Sequence, residues 1–134
     1  MRKIFFLFTL LLMASFLMQC GNNPDRQLHE RLSQMAVELN ESAPVMLDPN
    51  TRLEGVSVTD ENHFRYRYTV LNTENPDSLL SEWLQTLTDN IRTMVSTKAE
   101  LAVFRENSVV LEYIYMDEQQ QILRTITINP EDYQ

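Results

Sequence analysis

The stretch "HFRYRYTV", residues 63–70, decides the fold because its side chains alternate between two chemical classes. Such a period of two places alternate side chains on opposite faces of a β-strand. The stretch therefore predicts a strand with one face in a core and the other in solvent. The apolar set is Phe64, Tyr66, Tyr68 and Val70, and the polar set is His63, Arg65, Arg67 and Thr69.

Amphipathic helices are predicted on both sides of this strand. Each begins with the tripeptide Asn-Pro-Asp, at residues 23–25 and 75–77. Asparagine can cap a helix, proline fits its first position, and aspartate complements the positive end of the helix dipole. Apolar residues then recur at helical spacing, which indicates one buried stripe on each helix. The stripes are Leu28, Leu32, Met35 and Leu39, and Leu80, Leu84, Leu87 and Ile91.

The remaining segments predict further strands. Residues 43–58 contain a short apolar stub, a turn at Asp48-Pro49-Asn50 and an extended run. Toward the C-terminus we expect strands at residues 101–104, 109–116 and 121–129. Residues 109–116 carry apolar side chains on both faces, which is typical of a central strand. The predicted class is α+β in the order α-β-β-α-β-β, with two helices packed on one face of a mainly antiparallel sheet of about four strands.

The N-terminal residues have the layout of a secretory signal peptide. The first three residues, "MRK", carry two positive charges, and residues 4–18 are an uncharged, almost wholly apolar run. That order of a basic region and an apolar region is the signal-peptide pattern. The run is shorter than the roughly 20 residues that a membrane-spanning helix needs. An uncleaved membrane anchor is therefore the weaker alternative.

The apolar run ends at "LMQC", residues 17–20, which contains the only cysteine of the chain. This stretch resembles the lipobox of bacterial lipoproteins. The resemblance implies cleavage before Cys20 and a diacylglyceryl group on its sulfur. Acylation would also consume a thiol that is a liability in an oxidising compartment. The alternative to lipidation is that Cys20 is an incidental small apolar residue. Gln19 departs from the small residue usual at that position, which bears on the efficiency of cleavage.

These interpretations give a domain plan and a location. Residues 1–19 are the signal peptide, residues 20–24 are the lipidated cysteine with a short tether, and residues 25–134 form a single small domain. Two acyl chains suffice for stable attachment to a membrane. Gly21 resembles the residue that permits export to the outer membrane in enterobacterial sorting, which implies attachment there, facing the periplasm.

The charge of the chain argues against nucleic acid and anionic lipid headgroups as partners. The chain has 11 basic and 19 acidic residues, a net charge of −8. Removing residues 1–19 takes two basic residues with it, so the mature protein carries about −10. A strongly acidic domain repels polyanions.

The sequence offers no catalytic or metal-binding pattern, so we predict no enzyme activity and no cofactor. The chain has 2 glycines, Gly21 and Gly55, which excludes the glycine-rich loops that bind phosphates. The histidines, His29 and His63, fall on different elements, and the lipid would occupy Cys20. No serine lies in a G-x-S-x-G elbow.

One face of the sheet is a candidate for binding another protein. The helices must cover the face of Tyr66 and Tyr68, which leaves the opposite face open. Aromatic residues beside arginine are favoured at protein interfaces. We select Arg65, Arg67, Tyr113 and Tyr115 for this face.

Two readings of that face stay open. The central strand could present Ile114 and Met116 there in place of the tyrosines. Alternatively the face is solvated, and its arginines pair with Glu54 or Glu112 across strands.

The predicted function is that of a non-enzymatic accessory lipoprotein, held to the membrane by lipid on Cys20, that binds another envelope protein. The alternative is a small-ligand-binding protein or enzyme with a pocket between helices and sheet, lined by Tyr66, Tyr68 and Trp83. A structural or immunity-type surface protein is a third possibility that the residues do not separate from the first.

Overall fold

The computed structural model describes residue 21 and residues 23–134. The predicted signal peptide, the lipobox and Cys20 lie outside the described residues. The elements in chain order are α1 (Pro24–Asn40), β1 (Val45–Asp48), β2 (Thr51–Val58), β3 (Phe64–Val70), α2 (Pro76–Thr97), a 3₁₀ turn (Ala99–Leu101), α3 (Ala102–Glu106), β4 (Leu111–Met116), β5 (Ile122–Ile128) and a 3₁₀ turn (Pro130–Asp132).

Both Asn-Pro-Asp tripeptides begin helices, as predicted. The Asn23 side chain accepts a hydrogen bond from the backbone N–H of Asp25 at 3.1 Å. The Asn75 side chain accepts one from the N–H of Ser78 at 3.2 Å. Each cap satisfies one of the N–H groups that a helix leaves without a partner in its first turn.

The strands form one sheet in the order β1-β2-β3-β4-β5. The β3–β4 pair is parallel and the other pairs are antiparallel. Parallel neighbours need a long crossover connection, and the segment that contains α2 provides it. The predicted α+β class is confirmed; the sheet has a fifth strand because the apolar stub at residues 45–48 pairs with β2 as a strand of its own.

The strand predicted at residues 101–104 is wrong, because these residues are helical. Local contacts favour the helical turn: the guanidinium of Arg105 donates hydrogen bonds to the carbonyl oxygens of Val95 at 2.6 Å and Lys98 at 2.8 Å. Those carbonyls belong to the end of α2, where backbone acceptors lack partners within the helix. The turn also buries Val103 and Phe104 together.

The core lies between the helices and one face of the sheet. The alternation predicted for β3 holds at Phe64, Tyr68 and Val70, which are buried, and at Arg67, which is exposed. It fails at Thr69, which is predicted to face solvent but is 4% exposed. Fully burying a large apolar side chain stabilises the fold by about 1.5–3 kcal/mol. None of the helices within residues 23–134 is long and apolar enough to cross a membrane. The largest fully buried side chains include Phe64, Phe104, Leu32, Leu80, Leu111 and Ile128.

Candidate functional site

An apolar groove of about 230 Å³ lies between α2, the β1–β2 turn and the sheet. Three tyrosines form its floor: Tyr68 comes from β3, and Tyr113 and Tyr115 come from β4. The wall opposite α2 contains Leu47 and Asp48. We call this feature the tyrosine groove.

The α2 wall of the tyrosine groove is a stripe at helical spacing that runs from Leu80 to Met94. At 1.5 Å per residue the stripe is about 21 Å long. Leu80 is fully buried beneath the groove, whereas Met94 is 39% exposed, and Leu47 on the opposite wall is 57% exposed. Both walls therefore present apolar side chains to solvent. Between Leu80 and Met94 the stripe contains Trp83, Leu87 and Ile91.

The floor is built by the register of the two parallel strands. Tyr66 lies opposite Tyr113, and Tyr68 lies opposite Tyr115. The rings stack, with centroids 4.8 Å apart in the first pair and 5.0 Å apart in the second. Such pairs contribute roughly 0.5–1.5 kcal/mol beyond the area they bury, so the stacking stabilises the floor.

The hydroxyl groups of the floor have no hydrogen-bond partner in the part of the chain that the structure describes. There, Tyr133 is the tyrosine whose hydroxyl has protein partners. Burial raises the pKa of Tyr68 and of Tyr113. Burial also raises the pKa of Tyr115, and the carboxylate of Asp48 raises it further. All three hydroxyls therefore stay neutral and can both donate and accept a hydrogen bond at neutral pH.

Asp48 is the charged residue among those that line the groove. The turn at Asp48-Pro49-Asn50 positions it, because one carboxylate oxygen of Asp48 accepts a hydrogen bond from the N–H of Asn50 at 2.8 Å. Side-chain acceptance from the residue two places on is the geometry of an Asx turn. Asp48 is exposed, and its second oxygen has no hydrogen-bond or ion-pair partner among the described residues.

The predicted protein-binding face is not one surface. Arg65 lies opposite Glu112 in the parallel β3–β4 pair, so Tyr113, the next residue, projects from the other face. Tyr113 and Tyr115 are 4% and 5% exposed and form the floor under the helices. Placing these two tyrosines beside Arg65 and Arg67 is therefore wrong.

The cross-strand pairing of Arg65 with Glu112, one of the two readings of the open face, is present. Its Nε donates to Oε2 of Glu112 at 2.6 Å, and Nδ1 of His63 lies 3.2 Å from Oε1 of the same carboxylate. Burial acts to raise the pKa of Glu112, but the hydrogen bonds from Arg65 and His63 outweigh it, and the pKa is lowered. Arg67 is exposed, and Glu54 pairs with Arg52 at 2.7 Å.

One alternative from the sequence is a ligand pocket between helices and sheet lined by Tyr66, Tyr68 and Trp83. Part of that lining is present. Tyr68 and Trp83 line the tyrosine groove, and Tyr66 does not. Sequence reasoning missed Leu47 and Asp48, because their segment was interpreted only as a strand stub and a turn. An exposed apolar residue beside a turn aspartate is a weak signal that could have drawn attention to them.

The described residues hold no group of three or more His, Cys, Asp or Glu side chains arranged to bind a metal ion.

Residues 27–124 match the family described as "Domain of unknown function (DUF8479)". The chain belongs to this family. No curated protein matches the DUF8479 chain in sequence.

Solved structures resemble the fold of this DUF8479 protein at low sequence identity. A Pseudomonas aeruginosa protein described as secreted has a TM-score of 0.72 and 13% identity, and the match covers 85% of this chain and 99% of the other. The type 2 secretion system pilotin EpsS of Vibrio vulnificus has a TM-score of 0.64 and 14% identity, with 82% and 94% covered. The type II secretion system pilotin AspS of Vibrio cholerae has a TM-score of 0.57 and 11% identity, with 81% and 94% covered. At these identities the likeness shows the fold alone.

Proposed function

We propose that this protein is a lipid-anchored, non-enzymatic accessory protein of the cell envelope. It acts by binding an apolar helical segment of another envelope protein in the tyrosine groove. The likeness of its fold to two pilotins of secretion systems supports an accessory role in an envelope assembly. The resemblance of "LMQC" to a lipobox supports the anchor, with lipid on Cys20. Gly21 after the cysteine supports residence at the outer membrane, facing the periplasm.

The observation that carries the proposal is the pair of exposed apolar walls. Leu47 and Met94 are partly exposed on the two sides of a floor that is already packed. Apolar surface rimmed by polar residues marks sites for proteins or ligands. The α2 stripe of about 21 Å matches the length of a helix of about 14 residues, and amphipathic helices commonly bind in such grooves.

Photo-crosslinking in cells tests the groove as the binding surface. A photoreactive amino acid is placed at Met94 or Leu87 in the groove, and at Val37 or Ile122 as controls. The control side chains are 63% and 64% exposed and lie outside the groove. We expect one discrete adduct from the groove positions, lost when Leu47→Asp is added. The same adduct from every position, or none from the groove, would overturn the proposal.

Intact mass tests the anchor. We expect the protein purified from membranes to have the mass of residues 20–134 plus acyl groups, and the Cys20→Ala variant to lack the acyl mass. An unmodified or uncleaved N-terminus would show that the lipoprotein interpretation is wrong.

A small-ligand function is the second candidate, and the hydroxyl-bearing floor favours it. The groove volume of about 230 Å³ is below the roughly 300–1,000 Å³ typical of ligand pockets. A ligand that binds only the folded state raises the melting temperature. Because the groove is smaller than typical ligand pockets, we expect no change of melting temperature in a thermal-shift screen with metabolites and cell-wall fragments. An increase that Leu47→Asp abolishes would favour this second function.

A further inference from the structure

The carboxylate of Asp48, at one end of the groove, has a hydrogen-bond partner for only one of its two oxygens among the described residues. One oxygen of Asp48 accepts the hydrogen bond from Asn50 that closes the turn. Within residues 23–134, the other oxygen has neither a hydrogen-bond donor nor a cation as partner. A helix that fills the groove would remove water from this oxygen. An uncompensated carboxylate is costly to bury, so the occupant must supply a partner for it.

Neutral hydroxyls lie on the floor of the groove that this carboxylate lines. Tyr115 is 5% exposed and Tyr68 is 9% exposed, and neither hydroxyl has a partner among the described residues. Asp48, Tyr68 and Tyr115 all line the same groove. A carboxylate with neighbouring hydroxyl oxygens offers several acceptors to an ammonium or guanidinium group, which carries only donors.

The basic residues of the described chain are largely engaged elsewhere. The mature chain has 9 basic and 19 acidic residues once residues 1–19 are removed. Arg105 caps the end of α2, and no basic residue is among the described residues that line the groove. Five arginines make ion pairs of their own: Arg26, Arg52, Arg65, Arg92 and Arg124.

We infer that the segment bound by the tyrosine groove carries a lysine or arginine whose head group binds Asp48 and the hydroxyls of Tyr68 and Tyr115. This inference rests on the proposed function and names the chemistry that the groove selects. A wholly apolar segment would leave the Asp48 carboxylate desolvated without a partner, and an acidic segment would add repulsion. The basic residue therefore determines which segments bind and where along the groove they lie.

Peptide titration against the mature protein in lipid nanodiscs tests the inference. The probes are amphipathic helices of about 14 residues that differ only at one position, occupied by Lys, Gln or Glu. One set of three peptides has the variable position in the first helical turn and a second set has it in the last turn. The two sets test both directions in which a helix could lie in the groove. Fluorescence of Trp83, the only tryptophan, reports binding in the groove, and empty nanodiscs with peptide supply the background. In one set we expect the Lys peptide to bind about fivefold more tightly than the Gln peptide, and the Glu peptide to bind most weakly.

Asp48→Asn should reduce the Lys-to-Gln ratio to about one, because asparagine keeps the acceptor for Asn50 and removes the charge. Asp117→Asn is the matched control: Asp117 closes the β4–β5 turn by accepting N–H groups of Gln119 and Gln121, both at 2.9 Å. It removes the same charge from a residue that does not line the groove and should leave the ratio unchanged.

Equal binding of the three peptides, or a preference that survives Asp48→Asn, would overturn the inference and leave the proposed function standing. Absence of peptide binding would also overturn it, and the crosslinking experiment then decides the proposed function separately. Equal reduction of the ratio by Asp117→Asn would assign the preference to net charge and not to Asp48.

Discussion

The side-chain amide of Asn40 pairs with the main chain of Val56 as a neighbouring strand would. Its Oδ1 accepts a hydrogen bond from the N–H of Val56 at 2.7 Å, and its Nδ2 donates one to the carbonyl oxygen of Val56 at 2.8 Å. The pairing of β1 with β2 ends at Val45 and Leu53, so Val56 lies beyond the reach of β1. Asn40 is the last residue of α1 and therefore joins that helix to the otherwise open edge of β2.

Asn40→Ala should lower the free energy of unfolding by about 2 kcal/mol, because it leaves a donor and an acceptor of Val56 without partners. Urea denaturation followed by Trp83 fluorescence measures the change. Gln34→Ala is the control on the same helix: its side-chain hydrogen bond to Glu38 is exposed and 3.4 Å long, so the expected loss is below about 0.5 kcal/mol. Equal losses in the two variants would show that the Asn40 bridge contributes nothing.

Gly55→Ala should disturb the same bridge. A Cβ at Gly55 would lie 3.2 Å from Oδ1 of Asn40, which is tight enough to displace the amide. We expect a loss of about 1 kcal/mol in the wild-type background and a smaller loss in Asn40→Ala. A double-mutant cycle measures this coupling. Additive losses would mean that Gly55 is required for some reason other than space for Asn40.

Acid should weaken the Arg65–Glu112–His63 cluster. The folded-state pKa of Glu112 lies below the ordinary 4.5, because hydrogen bonds from Arg65 and His63 outweigh burial. A depressed pKa adds stability that is present above the unfolded-state pKa and is lost as the pH falls through the folded-state pKa. The melting temperature of wild type should therefore exceed that of Glu112→Gln near neutral pH, and the difference should shrink below about pH 4. Glu106→Gln, an exposed change on α3, should show no such convergence; a constant Glu112→Gln difference down to pH 2 would contradict the assignment.

Tyr133→Phe should loosen α3 and the start of β4. The hydroxyl of Tyr133 donates to the carbonyl oxygen of Val109 at 2.6 Å and lies 3.2 Å from that of Phe104. Because Tyr133 is 4% exposed, phenylalanine leaves a buried acceptor without its donor, at a cost of about 1–2 kcal/mol. Hydrogen exchange should rise in residues 102–111. The matched control is Tyr66→Phe, whose hydroxyl has no partner among the described residues; an equal loss there would indicate a general effect of removing a hydroxyl.

Local chemistry made part of this fold predictable. The caps at Asn23 and Asn75 and the alternation of β3 depend on neighbouring residues in the sequence, and the structure has both. The face on which Tyr113 lies depends instead on the register of β4 against β3, which no local pattern encodes. The strand predicted at residues 101–104 is wrong for a similar reason, because Arg105 stabilises the helical turn there by binding carbonyl groups at the end of α2. The walls of the groove became visible only once α2 was placed beside the β1–β2 turn.

The two ends of the sheet differ in their distance from the start of α1. The Asn62 side chain, in the β2–β3 turn, donates to the carbonyl oxygen of Asp25 at 3.2 Å, and its Oδ1 lies 2.9 Å from Nδ1 of His29. The first turns of α1 are thus held at this end. The β1–β2 turn with Asp48 is at the other end of β2, about 23 Å away at 3.3 Å per residue.

Lipid on Cys20, which shortly precedes α1 in the sequence, should therefore hold the β2–β3 turn near the bilayer and the Asp48 end of the groove away from it. We test this with a fluorophore on Asp60→Cys, in the β2–β3 turn, or on Gln119→Cys, in the β4–β5 turn. Both positions are exposed, and β4 runs parallel to β3, so Gln119 lies at the Asp48 end. In nanodiscs with nitroxide-labelled headgroups, we expect the dye at position 60 to be quenched more strongly than the dye at position 119. Equal quenching would contradict this orientation, and the opposite order would place the Asp48 end of the groove against the membrane. The Cys20→Ala protein without bilayer contact should lose the difference, because both dyes would then be far from the lipid.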